Sequence, residues 1–91
     1  MVKIINIGKD TTLMQRPCVT LEWKGKTVES ITEIQLRENT VSSPSLMFQV
    51  GGGLGSNDLH FYHDSDLYEV YKNLKGELSS HGIKFKSVLT D

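Results

Sequence analysis

Only one stretch of this chain repeats its apolar residues cleanly at helical spacing. Leu67, Val70, Tyr71, Leu74 and Leu78 fall at steps of three and four, which sets them in a single stripe along a helix. Most of the remaining apolar residues alternate with polar ones, the period of a half-buried strand. A chain patterned this way has to bury one helix stripe against a sheet. Composition points the same way. Valine, isoleucine and threonine together number 20 and alanine is absent, whereas alanine is the best helix former and β-branched residues suit pleated surfaces.

The helix has readable ends. Asp64-Ser65-Asp66 offers side chains that accept hydrogen bonds from the first helical N–H groups and favour the positive end of the dipole. Gly82, after His81, is a natural stop. Gly76 lies inside the helix, where it costs about 1 kcal/mol relative to alanine.

The strands follow in order. Val2 to Ile7 forms the first, ended by Gly8. Cys18 to Trp23 sets Val19, Leu21 and Trp23 on one face and Cys18, Thr20 and Glu22 on the other. Lys24-Gly25 turns the chain into Lys26 to Glu29. Ser30-Ile31-Thr32-Glu33 has the spacing of a helix capping box, but Ile34 to Arg37 alternates, and Val28, Ile31, Ile34 and Leu36 fit no single helical face. This stretch is read as a strand with a bulge near Ser30. After a connection from Glu38 to Ser45, Leu46, Phe48 and Val50 share one strand face, and Leu59, Phe61 and His63 share another. Ile83 to Leu89 closes the set, with Lys84 and Lys86 on its outer face as in a protected edge strand. The expected fold is one α+β domain over 1–91: an antiparallel sheet of five to six strands, open or curled into a small barrel, with one amphipathic helix near the C-terminus, in the order βββββαβ. The helix covers one sheet face. The other has to be solvated, curled, or paired with another copy of the chain in a homodimer.

Several function classes lose support at this level. Ten basic residues against eleven acidic ones leave a net charge of −1, the balance of neither a polybasic nucleic-acid binder nor an acidic mimic. No apolar run approaches the roughly 20 residues of a membrane span. The N-terminal apolar run is short and broken by Asn6, unlike a signal peptide. With Cys18 as the single cysteine, a cytoplasmic location is expected.

Each conspicuous motif has a plainer role. Gly51-Gly52-Gly53-Leu54-Gly55-Ser56-Asn57-Asp58 reads as a hairpin loop. Phosphate-binding glycine loops lead into a helix, and here a strand follows, so no cofactor is expected. His60 and His63 point to opposite faces of a strand and do not converge on a metal. Asp64 and Asp66 have a role at the helix start. Cys18 has no adjacent base to lower its pKa, and no serine lies in a Gly-x-Ser-x-Gly context. No catalytic residue, metal site or family motif set is identified.

The expected function is therefore a small non-enzymatic protein-binding module, a regulator, inhibitor or assembly factor. It would act through its sheet surface and the glycine loop 51–58. The contact candidates are Gly51, Gly52, Gly53, Leu54, Gly55, Tyr62 and Tyr68. The alternative is a small nucleic-acid-binding domain using Lys72, Lys75, Lys84, Lys86 and exposed tyrosines. A third class, a small enzyme built on His60, His63 and Asp64, has the least support.

Overall fold

The computed structural model describes residues 2–9, 15–53 and 56–90. Six strands and one helix follow in the expected order: β1 (Lys3–Lys9), β2 (Pro17–Trp23), β3 (Lys26–Asn39), β4 (Ser45–Gly53), β5 (Ser56–Tyr62), α1 (Leu67–Leu78) and β6 (Lys84–Thr90). The first five strands form an antiparallel meander in spatial order β1-β2-β3-β4-β5. β6 joins beside the second half of β3 and runs parallel to it. A helix supplies the return that parallel strands need: β5 and β6 point the same way, and the chain crosses back through α1. The sheet is not closed into a barrel.

β3 organises the sheet. Its 14 residues pair with β2 over their first half and β6 over their second, while β4 lines the other edge. Two register slips interrupt it. One extra residue stands opposite β2 between Val28 and Ile31, where Ser30 takes a φ of 59°. A second stands opposite β4 between Ile31 and Glu33. Each single-residue slip turns the following side chains to the other face. Val28, Ile31, Ile34 and Leu36, which suit neither a simple strand nor a helix, thus all reach one core. The bulge near Ser30 is where the sequence puts it; the one at Thr32 is additional.

The local turns have ordinary causes. Lys24 and Gly25 take φ values of 55° and 78°, the doubly left-handed turn whose twist matches a two-residue hairpin and whose second position suits glycine. Asn39 Oδ1 accepts hydrogen bonds from the backbone N–H groups of Val41 and Ser42 and from the Ser42 hydroxyl, which turns the chain out of β3. The first strand runs on past Gly8 to Lys9 instead of ending there.

α1 lies over β3 and β4. Its buried residues are Leu67, Val70, Tyr71, Leu74 and Leu78, the whole expected stripe. Asp66 occupies the N-cap position but its side chain makes no capping hydrogen bond; the first turn is held by Leu67 N–H to Asp64 O and Val70 N–H to Asp66 O. The Asp66 carboxylate instead faces Lys24 Nζ at 3.8 Å. A short 3-10 turn (Ser79–His81) precedes Gly82, whose φ is 83°. A Cβ there would come within 2.8 Å of the Pro17 ring, so backbone angle and packing both select glycine.

The core joins this stripe to Val19, Leu21, Trp23, Val28, Ile31, Ile34, Leu36, Leu46, Phe48 and Ile83. Trp23 on β2 meets Tyr62 on β5, with ring centroids 5.2 Å apart, and each also packs on Phe48. In a flat sheet those strands would stand roughly 14 Å apart. The bulged sheet bends its core face inward around these rings. Within the described residues, no helix is long and apolar enough to cross a membrane.

Two substitutions on α1 probe this packing. Leu74→Ala should cost about 2–4 kcal/mol, through lost burial and the cavity left at the helix–sheet interface. A chemical-denaturation loss below about 1 kcal/mol would place the stripe elsewhere. Gly76→Ala should do the opposite. A Cβ at that exposed position meets nothing within 4 Å, so the variant should gain about 0.5–1 kcal/mol.

Candidate functional site

The face of the sheet turned away from α1 has a distinct composition. On β4, Leu46 and Phe48 point into the core, so Met47 points outward between them. The pairing then fixes its row: Met47 lies opposite Gln35 on β3 and Phe61 on β5, and Gln35 lies opposite Lys86 on β6. The next row runs Lys84, Glu33, Gln49, Leu59, and a partial third runs Val88, Arg37, Ser45. Same-face neighbours along a strand and across a pair are in side-chain contact range.

Across the two full rows the chemistry changes from one edge to the other. Lys84 and Lys86 stand exposed on β6. In the middle, Arg37 Nη1 donates to Gln35 Oε1 at 2.9 Å, and Gln35 Nε2 donates to Glu33 Oε2. This relay runs along β3 and holds the one carboxylate of these rows. Toward β5 the face becomes apolar: Met47 is only 3% exposed, whereas Leu59 and Phe61 are 51% and 49% exposed. Large apolar side chains on an open sheet face, next to a buried one, form a contact surface of the kind partners use.

Where β2 and β6 part on either side of Pro17 and Gly82, the same face holds a hollow of about 330 Å³, lined by Arg16, Thr32, Glu33, Gln49 and Lys84 among others. Arg16 reaches across it. Its Nη2 donates to the carbonyl of Gly51 at 2.9 Å, and the Thr32 hydroxyl lies 3.4 Å from the carbonyls of both Gln49 and Gly51. The bulge at Thr32 thus turns a hydroxyl toward β4, and the start of the glycine run is tied to the sheet.

That observation corrects the loop expected at 51–58. Gly51, Gly52 and Gly53 belong to β4, and Ser56, Asn57 and Asp58 belong to β5. The ladder continues through them, with a slip between Gly51 and Gly53. Leu54 and Gly55 lie outside the described residues.

The tyrosines also divide. Tyr62 stands opposite Leu46 and faces the core, half-buried against Trp23 and Phe48. This reverses the expected faces of β5, because Leu59 and Phe61 are the residues turned outward. Tyr68 is exposed, as expected for a residue off the helix stripe, and its hydroxyl donates to Glu38 Oε2 at 2.8 Å. The four lysines considered together as a basic group are separated by the sheet: Lys72 and Lys75 are on α1, and Lys84 and Lys86 are on the opposite face. His60 and His63 are both exposed. His60 lies opposite Phe48, at the edge of the core face, and His63 lies beyond the end of β5. Among the described residues, no group of three or more His, Cys, Asp or Glu is placed to hold a metal ion.

Met47, Leu59, Phe61, Arg37 and Arg16 were not among the contact candidates. One signal did point to this face. Leu46-Met47-Phe48 is apolar at three successive positions, which means that both faces of that strand meet apolar surroundings.

All three tyrosines hold their protons more tightly than an ordinary phenol. For Tyr68 the hydrogen bond to Glu38 is the main cause; for Tyr62 it is burial, then the nearby Asp64 carboxylate; for Tyr71 it is burial. A pKa raised in the folded state gives stability that is complete below the ordinary value of about 10 and lost as pH rises through and past it. Tyrosinate absorbance of the folded protein should therefore appear above that value and return to it in denaturant. Tyr68→Phe should remove one of the late-titrating groups. A folded-state midpoint at or below that of the denatured chain would contradict these environments.

No protein-family model, curated protein or solved structure matches this chain.

Proposed function

We propose that this chain is a non-enzymatic protein-binding module that acts through the open face of its sheet. The observation that carries this reading is the row Lys86–Gln35–Met47–Phe61, with Leu59 beside it. Phe61 and Leu59 stay half exposed although a core is available on the other face. The same strand places Tyr62 inward and Phe61 outward, so the register of this edge strand turns Phe61 to the open face. Interfaces typically have such an apolar centre with a polar and charged rim, and a buried aromatic anchor commonly supplies much of the binding energy. Gly51, held by Arg16 and Thr32, extends this surface along β4.

Site-specific photo-cross-linking tests the reading. A benzophenone side chain at Phe61 should give protein adducts in cells that express the chain, insensitive to nuclease. The same group at Lys72, on the exposed side of α1, should give few or none. Equal adducts from both positions would remove the outer face as the binding surface, and nuclease-sensitive adducts from Phe61 would replace the protein partner with a nucleic acid.

A further inference from the structure

We infer that the occupant of this face is an acidic amphipathic helix of a partner protein, laid across β6, β3, β4 and β5. The inference rests on the protein-binding reading above and names its partner chemistry. Charge is the first argument. Among the described residues of these rows, Arg37, Lys84 and Lys86 oppose the single carboxylate of Glu33, and that carboxylate is already engaged by Gln35. A chain with a net charge of −1 has therefore gathered a cationic excess here. Two such faces brought together would repel, which disfavours a second copy of this chain as the occupant.

The arrangement of the surface is the second argument. Its cations lie toward β6 and its exposed apolar groups toward β5, so a complementary ligand carries carboxylates along one flank and an apolar stripe along the other. From β6 to β5 is roughly 14 Å at ordinary strand spacing, and a helix with its side chains is about 10–12 Å across. A helix of ordinary size fills that width, as α1 does on the other face. Its stripe would rest on Leu59 and Phe61, with carboxylates over Lys84, Lys86 and Arg37. A single-stranded nucleic acid fits less well. Such strands stack successive bases on aromatic rings along a cationic track, and the outer rows present one ring, Phe61, with aliphatic Leu59 next to it and Glu33 in the path.

The test uses a synthetic helical peptide of about 18 residues, long enough to hold some helix alone, with leucines at helical spacing and glutamates along one flank. A second peptide has every glutamate replaced by lysine, and an oligo-dT strand serves as the third probe. Amide chemical shifts of the full chain are followed as each is added. The acidic peptide should bind, move resonances of β4, β5 and β6, and weaken as salt is raised. Lys84→Gln with Lys86→Gln should reduce its affinity by about tenfold and flatten the salt dependence, and Phe61→Ser should reduce it by a similar factor. Lys72→Gln with Lys75→Gln should leave it unchanged. Melting curves of each variant verify that the fold is retained.

Equal or tighter binding of the lysine peptide, tighter binding of oligo-dT at the same residues, or shifts confined to α1 would each overturn the inference. So would the absence of binding by the acidic peptide. In that case, protein adducts from Phe61 would show that the face still binds a partner of different chemistry, whereas loss of both results would take the broader reading with it.

Discussion

Two extra residues in one strand hold the rest of this structure in place. β3 is shared by β2, β4 and β6, so the direction of its side chains decides which face of the whole sheet can be apolar. Without the slip at Ser30, Val28 and Ile31 would point to opposite sides; without the slip at Thr32, Ile31 and Ile34 would. A sheet with its apolar residues divided in that way would leave α1 nothing continuous to cover. The bulges also bend the strand, which lets Trp23 and Tyr62 meet across two intervening strands. Core, curvature and the open face all follow from the same two insertions.

The helix was legible because its signal is local. Five apolar residues at one periodicity identify the stripe before any partner is known, and the same holds for the Lys24-Gly25 turn. The irregularity near Ser30 was legible for a related reason: an apolar set that fits neither period implies a break in one of them. The second bulge was not, because Thr32 is a good strand residue and its slip is defined only by the pairing with β4. β5 shows the limit most clearly. Leu59 and Phe61 alternate with His60 and Tyr62, so either pair can be taken as inward. The choice is made by the ladder to β4 and by the fit of the Tyr62 ring against Trp23 and Phe48. A hydrophobicity ranking favours the wrong pair.

The open face was hidden for the same reason. Its rows combine residues from four strands, and none of those residues forms a motif with its sequence neighbours. Lys84 and Lys86 were visible as an alternating pair on an edge strand, but grouping them with Lys72 and Lys75 joined charges that the sheet keeps apart. The parallel insertion of β6 is what brings them beside Gln35 and Glu33, and through those to Met47 and Phe61. A patch defined by register can change character with a single slip while composition stays constant.

The position of β6 also sets an order of assembly. β1 to β5 can form by successive hairpins, each between neighbouring segments of the chain. β6 has to find Glu33–Asn39 roughly fifty residues back along the sequence, a closure with a larger entropic cost than any of the hairpins. During synthesis the second half of β3 therefore emerges long before its partner, and its edge hydrogen-bonding groups face solvent until Lys84–Thr90 arrives. That interval is the chain's exposure to intermolecular strand pairing. Two lysines on the last strand keep its own outer side charged while it waits to dock.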